Sequence, residues 1–260
     1  MTAALQARVD AVARGLRGRL GCLICDGAGT VWAAHGAEER FRTASVIKVP
    51  VLLALGADVD AGRCRWDQVV PTAAGNTAAG SGVIQYLSVL PYTLRDLATL
   101  AIIVSDNRAT NAIIDLLGLD RINAYLSRAG WRDTVLGRRM MDFEAHDRGH
   151  DNVSTPQDTA AMFVRLHQGK AATQPTTAVI LDILKGQQLR DGLPAWLPPD
   201  TPAAHKTGGL PAVANDAGIL YLPSGPVVVA VFTNDLAARA EGRRAIQDIG
   251  LAIVESAAGA

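Results

Sequence analysis

The sequence predicts an α/β plus all-α fold: an antiparallel sheet flanked by terminal helices, with a helical lobe inserted between its strands. Three observations predict it. Apolar, β-branched runs stand at both ends of the 260 residues, helical spacing dominates the middle, and no repeat, charged tail or low-complexity linker divides the chain. The reading is a single unit, with a sheet lobe from residues 1–44 and 188–260 and a helical lobe over 45–187.

Leu5, Val9, Val12 and Leu16 follow helical spacing. The stretch Met1 to Leu20 carries Arg8, Arg14, Arg17 and Arg19 and no apolar run long enough for a signal-peptide core or a membrane span, so a cytoplasmic location is expected. Leu20 to Cys25 and Thr30 to His35 flank Asp26-Gly27-Ala28-Gly29, a hairpin pattern. Cys22 and Cys25, three apart on a strand, face opposite sides. With Cys64 they make an odd count, without the helix N-terminus of a redox pair or the further ligands of a zinc site, so packing as small hydrophobes is expected. No metal and no cofactor motif is found.

A helix is expected to begin at or near Ser45 and to run through Leu55, apolar on all sides and therefore buried, with Pro50 tolerated near its first turn. Pro71 to Leu90, rich in Gly, Ala, Ser and Thr, reads as an irregular segment able to line a cleft. Thr93-Leu94-Arg95-Asp96-Leu97 opens a helix with a cap, and Asn107 to Leu117 gives another stopped by Gly118. Asp158 to His167 and Ala178 to Lys185 read as amphipathic helices. Ala203 to Lys206, Asp216 to Leu222 and Val227 to Thr233 read as strands, the last two joined by a turn at Pro223-Ser224-Gly225-Pro226. Ile246, Ile249 and Ile253 form the stripe of a final helix.

Twenty-five basic against 25 acidic side chains give no electrostatic reason to expect nucleic acid or an anionic membrane as partner, and a small, roughly neutral substrate fits better. Three strings carry the chemistry. In Ser45-Val46-Ile47-Lys48, serine and lysine at i and i+3 project from one helix face, with the serine at the helix N-terminus and a lysine able to act as its base if burial lowers its pKa. Ser105-Asp106-Asn107, if extended, sends Ser105 and Asn107 to one side. It also reads as a cap for a helix starting at Arg108. Lys206-Thr207-Gly208-Gly209 offers a charge, a hydroxyl and a backbone that a ligand can approach closely, although a lysine there also suits an aggregation-blocking edge strand. None of His35, His146, His150, His167 and His205 has an obvious partner for a rival triad, and His205 is expected to be a satisfied strand histidine.

The three strings, in this order and spacing, resemble those of class A β-lactamases and penicillin-binding proteins, and the context Phe41 to Pro50 is similar as well. The resemblance implies a serine β-lactamase-like fold with the site in the seam between lobes. It also implies an acyl-enzyme at Ser45, proton handling by Lys48, Ser105 and Lys206, substrate contacts from Asn107, Thr207, Gly208 and Gly209, and an oxyanion hole from the amides of Ser45 and Gly209.

Two departures stand out. The family's loop carries an arginine, then two residues on a deacylating glutamate, with a later aspartate paired to the arginine. If Arg139 pairs with Asp151, the glutamate position falls on Met141, and Asp142 or, by preference, Glu144 would have to replace it. On the strand after Lys206, Ala217 stands where many members hold the substrate carboxylate with an arginine, and Asp216 adds negative charge. The expected function is a metal-free serine hydrolase of a β-lactam or related amide. The alternatives are esterase, amidase or acyltransferase chemistry on the same scaffold, or a penicillin-binding protein that acylates without turnover. A wall-synthesis peptidase is disfavoured.

Overall fold

In the computed structural model, which describes residues 2–72, 75–88 and 90–258, the ends of the chain build one sheet and the middle supplies most of the helices. The elements are α1 (Thr2–Gly15), β1 (Arg19–Asp26), β2 (Val31–His35), β3 (Phe41–Arg42), α2 (Lys48–Asp60), β4 (Val69–Pro71), β5 (Pro91–Thr93), α3 (Leu94–Ile103), α4 (Asn107–Leu117) and α5 (Leu119–Arg128). There follow α6 (Phe143–Asp147), β6 (Val153–Ser154), α7 (Pro156–His167), α8 (Gln174–Lys185), β7 (Ala203–Leu210), β8 (Val213–Leu222), β9 (Gly225–Asn234) and α9 (Arg239–Ala258).

The five-stranded antiparallel sheet has the order β2-β1-β9-β8-β7. Its N- and C-terminal parts are joined by β1 and β9, which pair without interruption from Arg19 opposite Asn234 to Asp26 opposite Val227. Period-two alternation divides the strands between two cores. Leu23, Cys25, Val228, Ala230 and Phe232 face the cluster shared with the middle helices, while Cys22, Ile24, Val227, Val229 and Val231 face the cluster under α1 and α9. Cys22 and Cys25 thus lie in opposite cores as expected, and burial pushes both thiols up, Cys25 to about 12, which makes them inert packing groups. Helix α7, although it falls mid-chain, packs on β1, β8 and β9.

Helix α2 is buried on nearly every side, as its composition implies. It does not begin as a regular α-helix at Ser45: Ala44–Ile47 form a 3-10 turn and the α-helix starts at Lys48. The cause is local. Ala44 has φ +47°, and Pro50 has no N–H to give the carbonyl of Val46. Helix α3 carries a full capping box between Thr93 and Asp96. Strand β7 runs past the expected end at Lys206 through both glycines to Leu210, because pairing with β8 overrides their weak strand propensity. Helix α5 and the two- and three-residue strands β3 to β6 were not legible in the pattern. Within the irregular segment Pro71 to Leu90, a 3-10 turn covers Ile84–Tyr86, and residues 73, 74 and 89 lie outside the described residues.

Phe232 is fully buried in a central strand and stacks on Phe41 at a centroid distance of 6.1 Å. Phe232→Ala is expected to cost about 3–5 kcal/mol, measured as a lower denaturation midpoint at unchanged slope. A loss below about 1 kcal/mol would contradict this packing.

Candidate active site

The three strings converge where the edge strand β7 meets the start of α2 and the α3–α4 junction. A β-carbon at Gly208 would lie 3.1 Å from the Ser45 amide nitrogen, so β7 packs directly on the turn that carries the serine. That close approach is what the glycine permits. Ser45 is half-buried, in the first turn of a helical segment where backbone N–H groups lack intrahelical acceptors. It lines a cavity of about 480 Å³ with Gly80, Asn107, Met140, Met141 and Gly209, and an adjoining one of about 190 Å³ with Ser105, Thr207, Gly208 and Gly209. A larger groove of about 630 Å³ between α1 and α9 has no nucleophile among its lining residues.

Lys48 is 1% exposed, its amine 2.6 Å from the Ser105 carbonyl, 3.1 Å from Ser105 Oγ and 2.9 Å from Asn107 Oδ1. Burial, and then the positive charge of Lys206, hold it well below the usual lysine range, against the opposing pull of Asp106. The amine donates to all three oxygens, which fix it between the Ser105 and Asn107 side chains. Lys206 is fully buried and donates to the Thr207 carbonyl at 2.8 Å. Burial lowers its pKa to about 7 although Asp216 opposes the shift. A buried lysine is not an edge-strand guard, which must face solvent.

Ser105 is not extended. Its φ of +56° makes it, with Ala44 and Met141 (+62°), one of three non-glycine residues in left-handed backbone around Ser45. Asp106 caps α4, which starts at Asn107 rather than Arg108. One Asp106 oxygen accepts from Ala109 N at 2.9 Å, and the other accepts from Val83 N and Ile84 N at 2.7 and 2.8 Å. Capping and site-building are therefore done by one motif. Asn107 donates to Ala79 O at 2.8 Å, its backbone N–H donates to Ser81 O at 3.1 Å, and Asn76 donates to Arg108 O at 2.8 Å. These bonds hold the irregular segment as a wall of the cleft.

The loop over Ser45 corrects the expected pairing. Asp151 is held by Arg138 at 3.0 Å and by Arg42 at 2.6 Å, whereas Arg139 pairs with Asp115 at 2.7 Å. The position two residues beyond the paired arginine is then Met140, not Met141. Asn111 of α4 clamps the Met140 backbone at both ends, accepting from its N–H at 2.8 Å and donating to its carbonyl at 3.1 Å. The preferred substitute base is not in the cleft: the Glu144 side chain is 91% exposed beside Arg148, because a one-turn helix turns it toward water. Asp142 caps that helix by accepting from Ala145 N. His205 is a strand histidine bound at Nδ1 to Asp216 Oδ1 at 2.9 Å, but it is only half satisfied, since its Nε2 is buried without a partner.

Asn111, Met140, Ser81 and Arg239 were missed as residues of the site. Asn111 alone left a trace in the sequence, four residues beyond Asn107 on the same helix face. Among the described residues no group of three or more His, Cys, Asp or Glu side chains could hold a metal, and no helix is long and apolar enough to cross a membrane.

A helix-borne serine beside a buried lysine of lowered pKa, a second serine and a strand lysine define a serine acyl-transfer hydrolase. The model of the Beta-lactamase enzyme family matches residues 4–257, and the chain belongs to that family as a serine β-lactamase-like hydrolase. It is 30% identical over 256 residues to Beta-lactamase AST-1 of Nocardia asteroides, covering 88% of this chain and 78% of that protein. The crystal structure of a β-lactamase from Sphaerobacter thermophilus superposes with a TM-score of 0.89 at 34% identity, covering 99% of this chain and 98% of that one. An acyl-enzyme complex of a PBP-A mutant with penicillin G gives a TM-score of 0.90 at 27% identity, covering 100% and 98%.

With its pKa lowered by burial to about 7, Lys206 is expected to lose its charge as pH rises through that value. For an acyl donor bearing a carboxylate, kcat/KM for Ser45 acylation is therefore expected to fall as pH rises through about 7, and Lys206→Ala is expected to remove that limb. An unchanged limb in the variant would contradict the assignment.

Proposed function

We propose that the protein takes a β-lactam, or an amide of similar shape, as acyl donor at Ser45 and releases the acyl group slowly. In this reading neutral Lys48 accepts the Ser45 proton, directly or through Ser105, as Oγ bonds to the carbonyl carbon. The amides of Ser45 and Gly209 receive the developing oxyanion, each worth about 3 kcal/mol where such donors have been removed. Ser105 then returns the proton to the leaving nitrogen as the C–N bond breaks. Asn107 holds the acyl side, and Thr207 with Lys206 holds the leaving side.

One observation carries the slow second step. Met140, pinned by Asn111, lines the Ser45 cavity at the place a water-activating carboxylate would take, and a thioether accepts no proton. Glu144 and Asp142 are engaged elsewhere. Similarity to the PBP-A mutant seen as an acyl-enzyme with penicillin G supports capture of such a donor.

The test is the intact mass of the protein over time with benzylpenicillin, with drug loss followed in parallel. The expected result is an adduct that accumulates to one per chain while drug disappears slowly, and no adduct on Ser45→Ala. Rapid drug loss without a lasting adduct would overturn the slow step, and turnover by Ser45→Ala would overturn the nucleophile. Met140→Glu is expected to raise drug turnover by roughly tenfold or more, within the range of a placed general base.

A further inference from the structure

The turn that carries Ser45 hangs from the sheet by two asparagines to which acyl transfer gives no task. Asn215 of β8 and Asn234 of β9 are each 2% exposed, and both hold one residue, Arg42, three positions before Ser45. The Arg42 N–H donates to Asn234 Oδ1 at 2.8 Å, while its carbonyl accepts from Asn215 Nδ2 at 2.8 Å and from Asn234 Nδ2 at 3.3 Å. Asn215 Oδ1 accepts from Thr233 N at 3.0 Å, so its amide has one orientation.

Strand β3 is two residues long and pairs only Phe41 with Ser154 and Arg42 with Val153, so the Arg42 backbone draws partners from elsewhere. Asn234 alone reaches both its N–H and its carbonyl, which leaves the second asparagine to be explained. The register explains it. Asn215 lies directly opposite Gly208 in the β7–β8 pairing, and a β-carbon at Gly208 would stand 2.6 Å from Thr43 O and 3.1 Å from Ser45 N. One residue of β8 thus pairs through its backbone with the strand that presents Gly209, and holds through its side chain the segment that presents Ser45.

Little slack remains between Arg42 and Ser45. Thr43 donates from N and from Oγ1 to Asn152 O, each at 3.0 Å, its carbonyl accepts from Val46 N at 3.1 Å, and Ala44 is left-handed. A displacement of Arg42 is therefore passed on to the Ser45 amide. Asn215 also lines the smaller cavity, but both of its amide atoms are engaged by Arg42 and Thr233.

We propose that Asn215 and Asn234 are positioning residues that set the spacing between the Ser45 and Gly209 amides, and with it the fit of the oxyanion formed when Ser45 is acylated. This rests on the reading of Ser45 as the acylated residue with those two amides as its oxyanion donors. Such donors act by being in place before the charge develops, so a small shift of either amide weakens the transition state more than the bound donor.

The test places Asn215→Ala and Asn234→Ala, with Asn234→Asp as the conservative variant that keeps an acceptor for the Arg42 N–H, in three measurements made well below each denaturation midpoint. The first is the rate of Ser45 acylation by benzylpenicillin, followed by intact mass. The second is the affinity for phenylboronic acid, whose boron becomes tetrahedral and anionic when Ser45 Oγ bonds to it. The third is the affinity for intact benzylpenicillin of the same variants carrying Ser45→Ala, which reads binding without acylation.

Both alanine variants are expected to lose about tenfold or more in acylation and in boronate affinity alike, within the range of a disturbed oxyanion donor. Affinity for intact penicillin is expected to change by less than about twofold, since ground-state binding does not use the oxyanion geometry. Asn234→Asp is expected to recover part of the loss. A fall of equal size in all three measurements would mark general distortion of the cleft and overturn the proposal, as would unchanged acylation and boronate affinity in folded variants. If the wild-type protein forms neither adduct, the Ser45 reading fails and this inference falls with it.

Discussion

Two lysine amines buried within one site, Lys48 and Lys206, repel each other and have lost their water. Neither state is tolerable unless at least one amine is neutral and each finds acceptors. The surrounding architecture supplies them. Left-handed Ser105 turns its carbonyl toward Lys48, Asn107 at the head of α4 adds a side-chain oxygen, and β7 gives Lys206 the carbonyl of Thr207. Ser45 therefore stands three residues from a lysine whose basicity burial lowers, so the proposed nucleophile needs no histidine.

That constraint explains why the site lies where the parts of the fold meet. Strand β7 belongs to the sheet, α2 and α4 to the helices, and Gly208 lets the strand approach the serine turn closely. Asp106 ties the same junction to the segment at Val83 and Ile84 while capping α4. The loop carrying Met140 is secured by a separate device, the Asp151 carboxylate between Arg138 and Arg42. Burial alone would raise the Asp151 pKa, but the Asn152 amide and the two arginines outweigh it and hold the carboxyl below its ordinary value. A loop anchored this way holds Met140 in the wall of the cavity that Ser45 also lines.

Much of this was legible in the residues. The alternation that divides Cys22 from Cys25, the all-round apolar run of α2 and the terminal strands fixed the architecture, because two-sided burial leaves a direct trace in sequence. The three strings brought Ser45, Lys48, Ser105, Asn107 and Lys206 together. What sequence could not give was long-range choice. Arg138 and Arg139 are adjacent, and only the folded loop decides which of them meets Asp151 and which meets Asp115. Glu144 was placed by proximity in sequence, whereas a single helical turn sends it into solvent. Arg239 follows no motif, since its place beside Gly209 depends on how α9 packs on the sheet.

The account depends most on the protonation of Lys48. The chain has four lysines, so carbon-13 labelling of lysine side chains yields a spectrum in which Lys48 can be assigned with a Lys48→Arg variant and titrated in the intact protein. The account predicts a neutral Lys48 amine at pH 7, with its transition well below the ordinary lysine value of about 10.4. A Lys48 signal that stays charged up to that ordinary value would remove the base and contradict the mechanism.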